Sequence, residues 1–385
     1  MLYVPHKHLY ISDASYVSSD EPDYKEVITD ANSRRRMGRL LKMAVWCGLK
    51  SLDGVPSEKV AGIITSTGAG FMKDTISFGS SIFDREETLL NPSPFMQSTF
   101  NTASGYIALI RKIHAYNTTY VQQADGFAAS LLDAAMLLDD AGEGNVALVG
   151  AFDEVTPEVD VIRQRLGLYR VGDGFLPLGE GAAAFLLSAA MPTDVSESCP
   201  ATEMSAGLGG DDGSESDSGR GGYEAGSESA SERGGDEAGS ESVSERGSDA
   251  NSECSSEPLR ESESASRPCD ESGSESSSEP LHESGETSSR SLNGTKDGNS
   301  ALRFCGLANL SDLPKCAENP IAELFGINAG VNVISCADHV ESLGAFRSLL
   351  PVLLCKLISE QKIPDGYTAI MDNVNADSVI ILLHK

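Results

Sequence analysis

Apolar residues in this chain fall into two kinds of segment, which predict two kinds of element. Short, almost uninterrupted apolar runs, each typical of a buried strand, occupy residues 60–65, 146–151, 182–187 and 378–383. Longer segments with apolar residues at helical intervals occupy residues 40–49, 101–110, 130–138 and 345–360. Asn101 stands where a helix N-cap is expected. Near-continuous strands separated by helices indicate sheets covered on both faces, so we predict an α/β fold.

One tract interrupts this pattern and divides the chain of 385 residues. Residues 191–300 are rich in Ser, Glu and Gly and hold 26 acidic and 7 basic residues, a net charge of −19. We predict a disordered insertion, because so few apolar side chains cannot offset the ordering entropy. It separates an N-terminal half, 1–190, from a C-terminal half, 301–385. An inert surface insertion is favoured over a regulated, phosphorylated segment.

Composition excludes several classes of function. The remainder of the chain holds 32 acidic and 22 basic residues, so no basic face for nucleic acid is expected. The eight cysteines form no Cys-x-x-Cys pair, which suits reduced thiols in a cytoplasm. The N-terminus lacks the apolar core of a signal peptide, and no apolar run reaches the roughly 18 residues of a membrane span. Neither a metal site nor a cofactor is predicted.

The segment with the most specific chemistry is residues 120–129, YVQQADGFAA. It is interpreted as the end of a buried strand, a tight turn and the start of the helix over 130–138. Acyl-transfer folds present a nucleophile at such a turn, before a helix N-terminus. Here the turn carries Gln123, whose amide cannot be a nucleophile.

Several motifs in order give the chain a resemblance to the β-ketoacyl synthase family, which has the thiolase fold. The strongest is RVGDGFLPLGEGAAA at residues 170–184; NPSPFMQSTFNTASG at residues 91–105 and RRRMGR at residues 34–39 also fit. The segments at 91–105 and 34–39 are especially similar to the branch that works in aryl-polyene and related polyene pigment pathways. The resemblance implies a thiolase-like layered fold of helices covering mixed sheets, with a shortened C-terminal half.

The family's catalytic residues are replaced in this chain. In the family, the nucleophilic cysteine stands three residues before a glycine. Counting back three residues from Gly126 assigns this position to Gln123. Of the two family histidines, one maps near Asn309 and the other onto Glu341. The resemblance therefore implies a non-catalytic subunit of the chain-length-factor type, since these partner subunits carry Gln at the nucleophile position. Alternatives are a divergent active 3-oxoacyl carrier-protein synthase or malonyl decarboxylase, and a decayed paralogue.

By resemblance, the partners would be an active ketosynthase in a heterodimer, or a second copy, together with an acyl carrier protein. The partner would lie against the strand that follows the Gln123 helix. Phe100, Phe127 and Met136 are candidates for the acyl tunnel or the interface, with core packing as the alternative. The arginines at 34–36 would meet the acidic carrier protein, although a solvated helix start or an internal salt bridge is favoured.

The motif loop supplies further candidate residues: Asp173, Gly174, Phe175, Gly179, Glu180 and Gly181. Its two acids are expected to bond loop amides rather than form an acid/base pair. A second glycine-containing segment, TGAG at 67–70, is expected to be a tight turn rather than a phosphate-binding loop.

Overall fold

The structure is a computed structural model that describes residues 2–5, 8–122, 125–189, 302–375 and 379–385. The prediction of disorder for 191–300 and the position of Gln123 lie outside the described residues. Strands are β1 (Leu9–Val17), β2 (Val60–Ser66), β3 (Tyr116–Tyr120), β4 (Val146–Asp153), β5 (Arg170–Val171), β6 (Gly174–Phe175), β7 (Gly181–Ser188), β8 (Arg303–Asn309), β9 (Val331–Ser335), β10 (Tyr367–Met371) and β11 (Val379–His384). Helices are α1 (Ala31–Arg36), α2 (Arg39–Ser51), α3 (Met72–Asp84), α4 (Pro92–Gln97), α5 (Thr102–Arg111), α6 (Asp125–Ala141), α7 (Pro157–Leu166), α8 (Pro320–Leu324), α9 (Val340–Leu343) and α10 (Leu349–Ser359).

Nine of these strands form one mixed sheet in the order β3-β2-β4-β7-β1-β8-β11-β10-β9. β2 is parallel to β3 and β4, and β7 is antiparallel to both of its neighbours. The same arrangement recurs after β8, where β10 is parallel to β9 and β11 is antiparallel to both of its neighbours. The fold is therefore an internal repeat whose halves meet where β1 pairs with β8.

The second half of the repeat is shortened, as predicted. β9 leads through α10 into β10, just as β3 leads through α6 into β4. Among the described residues, however, β9 lies directly beside β10, whereas β2 separates β3 from β4. The counterpart of β2 is thus the strand that the described C-terminal half lacks.

Alternating side chains place helices on both faces of the sheet. On β7, Ala183, Phe185 and Leu187 join the core formed with α6 and α10. Their neighbours in sequence face α2 and α5 in a second core. A third, smaller core covers the outer face of β10 and β11. Among the described residues, no helix combines the length and apolar character needed to cross a membrane.

Several sequence predictions need correction. The strand before Gln123, β3, is half exposed at the edge of the sheet rather than buried. β4, the strand after α6, is hydrogen-bonded along both edges and covered on both faces, so it cannot offer the predicted partner surface. α10 begins at Leu349 because Ala345 pairs with the loop at Pro177 instead of starting the helix. Asn101 is the N-cap of α5, but its side chain does not cap.

Candidate functional site

The candidate site lies at the carboxyl ends of the parallel strands, where α/β sheets hold their ligands. Asp153 is the last residue of β4, and Asp372 directly follows β10, the equivalent strand of the second half. Both carboxyl groups are almost completely buried. The two halves therefore contribute equivalent acids to one region of the molecule.

Asp153 organises the loop after β2. Its Oδ1 accepts hydrogen bonds from the backbone amides of Gly68 (2.8 Å) and Ala69 (3.1 Å) and from the Thr67 hydroxyl (3.0 Å). Its Oδ2 accepts from the hydroxyl of Ser348, the N-cap residue of α10. Burial raises the pKa of Asp153 despite these four donors. Because the amides are already bonded, the loop is a tight turn, and the phosphate-binding alternative has no free amides at these two positions.

Asp372 organises the loop after β10 in the same way. Its Oδ1 accepts from the backbone amides of Val374 (3.2 Å) and Asn375 (3.3 Å), and its Oδ2 from the Asn375 side chain at 2.7 Å. Burial raises the pKa of Asp372, and the negative charge of Asp125, at the start of α6, adds to the effect. A charge at the N-terminal end of α6, next to Gln123 in the sequence, therefore acts on a buried acid of the second half.

Tyr169 interacts electrostatically with both acids. Its hydroxyl donates to Asn375 Oδ1 at 2.9 Å, and its backbone is left-handed, with φ of 58°. Burial raises the pKa of Tyr169 to about 12; Arg347 opposes this shift, while Asp153 and Asp372 add to it. A non-glycine residue in this conformation is held there by its surroundings, and such strain concentrates at functional sites.

The loop with the strongest family motif is held by close backbone packing and by two arginines. Gly179 lies so near Leu343 and Gly344 that a Cβ would stand 1.7 Å from the Leu343 carbonyl oxygen. Arg163 donates to the Leu176 carbonyl at 3.0 Å and lies over the Phe175 ring at 4.9 Å.

The acids of this motif have separate surroundings. Glu180 accepts from the Val155 amide at 3.3 Å and pairs with Arg39. Asp173 is exposed in the turn between β5 and β6, whereas Gly181 is buried where β7 begins.

The other predicted residues are spread over the molecule. Phe127 is buried in the core against Phe185, whereas Phe100 and Met136 are exposed. Asn309 ends β8, and Glu341 is exposed on the short helix α9. Of the arginines at 34–36, Arg34 bonds the Ile28 carbonyl, and Arg35 and Arg36 are exposed. Their roles stay predictions.

Sequence reasoning missed the two buried acids, Asp153 and Asp372. It also missed Tyr169 and Ser348. The one available signal for Asp153 was its position directly after an apolar strand. Asp372 has the same position, but its strand had not been predicted.

The cysteines near this region are poor nucleophiles. Cys336 directly follows β9, and burial, reinforced by the charge of Asp372, raises its thiol pKa well above the ordinary range. Burial likewise raises the pKa of Cys47 and Cys355. His339, which follows in the same turn as Cys336, is half-buried. Within the described ranges, no group of three or more His, Cys, Asp or Glu side chains could hold a metal ion.

Residues 13–166 match the family model of the β-ketoacyl synthase N-terminal domain. The solved ishigamide ketosynthase/chain length factor is 13% identical, with a TM-score of 0.53 over 98% of this chain and 99% of its own. This likeness identifies the fold as the thiolase-like fold predicted from the motifs.

Two further solved structures have lower TM-scores, and no curated protein matches the chain significantly in sequence. The ketosynthase ApeO in complex with its chain length factor ApeC, from Xenorhabdus doucetiae, is 16% identical, with a TM-score of 0.37 over 48% of this chain and 80% of its own. A β-ketoacyl synthase from Burkholderia phymatum is 14% identical, with a TM-score of 0.39 over 48% and 59%.

Proposed function

We propose that the chain is a cytoplasmic, non-catalytic subunit of the chain-length-factor type, because residues 13–166 match the family model of the β-ketoacyl synthase N-terminal domain. It pairs with a cysteine-bearing ketosynthase in fatty-acid or polyketide biosynthesis of the aryl-polyene kind, and it meets chains carried by an acyl carrier protein. The observation that carries this proposal is Gln123, which stands at the family's nucleophile position in the sequence. An amide cannot form the acyl thioester on which the condensation depends.

The electrostatics of the site support a non-catalytic role. Decarboxylation of a malonyl thioester produces an enolate, which must be stabilised by hydrogen-bond donors or positive charge. Here Asp153 and Asp372 are buried at the strand ends. They accept hydrogen bonds from the backbone amides of the adjacent loops, those of Gly68, Ala69, Val374 and Asn375. These loop amides therefore already have acceptors and are not free to stabilise an enolate, which argues against the divergent synthase and the decarboxylase alternatives.

The buried thiols among the described residues give no substitute nucleophile. Cys336 is the thiol that interacts electrostatically with Asp372, but it is buried and its raised pKa keeps it protonated. A nucleophilic cysteine needs a positive or donor-rich environment that stabilises the thiolate. Cys336 has a neighbouring acid instead.

The surface around β3 is suited to a partner subunit. Among the described strands, β3 pairs only with β2, so its other edge presents backbone groups that a second chain can pair with. Tyr116 of β3 is 45% exposed and bonds Asp133 of α6 at 3.0 Å; Met136, three residues further along α6, is 60% exposed. Leu109 on α5 is 74% exposed. An edge strand flanked by exposed apolar side chains is a suitable protein–protein interface.

Co-purification tests the proposal. The full chain would be expressed with the cysteine-bearing ketosynthase encoded nearest to its gene, and the complex measured by gel filtration with light scattering. We expect a one-to-one heterodimer that Met136→Lys disrupts, because the lysine places a charge in the apolar interface. Ile162→Lys, a matched change on the exposed face of α7, should leave the complex intact. Failure to form any complex would favour the decayed paralogue, and an intact Met136→Lys complex would contradict the placement of the interface.

The division into an N-terminal half (1–190), an inserted tract (191–300) and a C-terminal half (301–385) is part of the proposal. The described strands support it, because β7 ends at Ser188 and β8 begins at Arg303. Deletion of 195–298 should leave the melting temperature and the heterodimer unchanged. A lower melting temperature after deletion would show that the tract contributes to folding.

A further inference from the structure

The segment between β2 and α5 carries large apolar side chains that the described part of the chain leaves uncovered. This segment, the arm (residues 72–100), comprises α3, α4 and their connection. None of the 13 residues of α3 is buried. Leu89 is 91% exposed and Phe83 85%, and Phe95 of α4 is more than half exposed although its ring lies 5.1 Å from that of Phe78 in α3. Large apolar side chains exposed in this way mark an interaction surface.

The arm is anchored to the rest of the protein at both of its ends. At the first end, the Lys73 amide donates to Glu154 Oε1 at 2.9 Å. At the second end, the buried Gln97 accepts from the Gly38 amide at 2.8 Å and donates to the Arg36 carbonyl. The exposed apolar side chains are therefore presented by a fixed element, which lowers the entropy cost of binding a partner.

α5 continues this surface from the arm towards β3. Gly105 and Leu109 are exposed and lie one helical turn apart, so they share one face of α5. Asn101, also exposed, stands one turn before Gly105 and directly after Phe100, the last residue of the arm. The exposed face of α5 thus connects the arm to the Leu109 region, which belongs to the interface proposed above.

Two glycines on these helices are not explained by packing within the described chain. Gly105 lies inside α5 and Gly79 inside α3, although glycine is unfavourable in a helix interior. A Cβ at either position would meet no described atom within 4 Å. A helix face without side chains lets a second molecule pack close to the backbone, because the side chains at a contact set the distance between helices.

The charges at the tip of the arm indicate which molecule fits this surface. Asp84, Glu86 and Glu87 are exposed there, and the one cation among them, Arg85, donates to the Leu89 carbonyl at 2.9 Å. Three acids and one arginine give the tip a net charge of −2. Such a tip repels an acidic carrier protein, a nucleic acid or an anionic membrane. It is complementary to a protein whose apolar groove is bordered by Lys and Arg.

We propose that the arm and the exposed face of α5 dock the ketosynthase subunit, which receives the tip of the arm in an apolar groove with a basic border. This proposal rests on the proposed function and extends the interface from β3 along α5 to the arm. The partner packs directly on the α5 backbone at Gly105. Phe83 and Leu89 become buried in the complex, where apolar anchors of this kind carry much of the binding energy.

Competition for a limiting amount of ketosynthase tests this surface. The wild-type chain and one variant, with different affinity tags, would be co-expressed with the ketosynthase, and the ketosynthase captured on each tag measured by mass spectrometry. Phe83→Ser combined with Leu89→Ser removes the two apolar anchors, and Gly105→Gln fills the open space on α5. Each variant should capture at least about tenfold less ketosynthase than the wild type. The melting temperature of each variant alone should fall by no more than about 2 °C, because the changes are at exposed positions.

Leu166→Ser on α7 and Gly330→Gln before β9 are matched controls that should compete equally with the wild type. Leu166 is 67% exposed, and a Cβ at Gly330 would likewise meet no described atom within 4 Å. Equal capture by the Gly105 variant and the double serine variant would overturn this proposal and leave the proposed function standing.

The same experiment separates the other occupants. If the wild type itself captures no ketosynthase, both the proposed function and this occupant are wrong. If the double serine variant turns a homodimer of this chain into a monomer while its capture of ketosynthase is unchanged, the surface belongs to a second copy. If that variant loses only the acyl carrier protein, the surface belongs to the carrier. Either result would overturn the proposal.

Discussion

Gly179→Ala should destabilise the protein severely, because the motif loop and the turn before α10 touch through their backbones. A Cβ at Gly179 would lie 1.7 Å from the Leu343 carbonyl oxygen and 2.9 Å from the Gly344 Cα. Backbone atoms cannot rotate away as the end of a side chain can. The two loops would have to separate by more than about 1 Å, since atoms in good contact stand roughly 3.5 Å apart.

The expected loss follows from what that separation would break. The loops are joined by hydrogen bonds from the Ala345 amide to the Pro177 carbonyl (2.7 Å) and from the Gly179 amide to the Ala345 carbonyl (3.4 Å). Each such bond contributes about 1 kcal/mol, and overpacking costs a further 1–3 kcal/mol or so. The free energy of unfolding should therefore fall by about 3–5 kcal/mol. At roughly 2–4 °C per kcal/mol, the melting temperature should fall by on the order of 10 °C.

Urea unfolding followed by circular dichroism measures this loss directly, as a lower midpoint with an unchanged slope. Gly174→Ala is the matched control in the same motif, because its Cβ would meet no atom nearer than the Val171 carbonyl oxygen at 3.9 Å. That control should change the free energy of unfolding by less than about 1 kcal/mol. If Gly179→Ala unfolds at the same urea concentration as the control, the close approach of the two loops is wrong.

Three other predictions test the core, the thiols and the site. Leu353→Ala, in the fully buried middle of α10, should lower the free energy of unfolding by about 2–5 kcal/mol in urea; a loss below 1 kcal/mol would place this helix at the surface. At pH 7, iodoacetamide should modify exposed Cys316 in the native chain, as peptide mass spectrometry would show. Cys47 and Cys355 should stay unmodified, since they are buried and burial raises their thiol pKa. Equal modification of all three would contradict that burial. Tyr169→Phe keeps the ring but loses the hydrogen bond to Asn375, so we expect a urea-measured loss of about 1 kcal/mol, and no loss would remove this contact from the site.

The sequence predicted those elements whose surroundings are uniformly apolar. β2, β4, β7 and β11 are buried on both faces, so their runs are continuous and easily recognised. β1 was not predicted because Ser12, Asp13 and Ser15 interrupt its apolar pattern. Ser15 is nevertheless buried, since its hydroxyl donates to the Cys47 carbonyl at 2.8 Å and lies 2.7 Å from the Ser51 hydroxyl. The hydrogen bonds that allow this polar side chain to be buried come from α2, which is distant in sequence.

The candidate site was predictable only in part for the same reason. The motifs at 91–105 and 170–184 carried the family resemblance, and the family match over 13–166 and the ishigamide fold bear it out. Asp153 and Asp372 stand 219 positions apart, and their equivalence follows from the repeat of β4 in β10. The predicted position of the partner surface was wrong because the spacing of apolar residues distinguishes a strand from a helix. It does not distinguish an edge strand from a central one. β3 was predicted as buried, although within the described part of the chain it pairs with β2 alone and has one open edge.

The central claim is that this chain assists a ketosynthase without carrying an acyl group itself. Its most direct test is intact-protein mass spectrometry of the chain, alone and in complex with the cysteine-bearing ketosynthase, after treatment with the ketosynthase inhibitor cerulenin. Since the family resemblance assigns Gln123 to the nucleophile position, we predict one adduct on the partner's catalytic cysteine and none on this chain. A stoichiometric adduct on any cysteine of this chain would contradict the account.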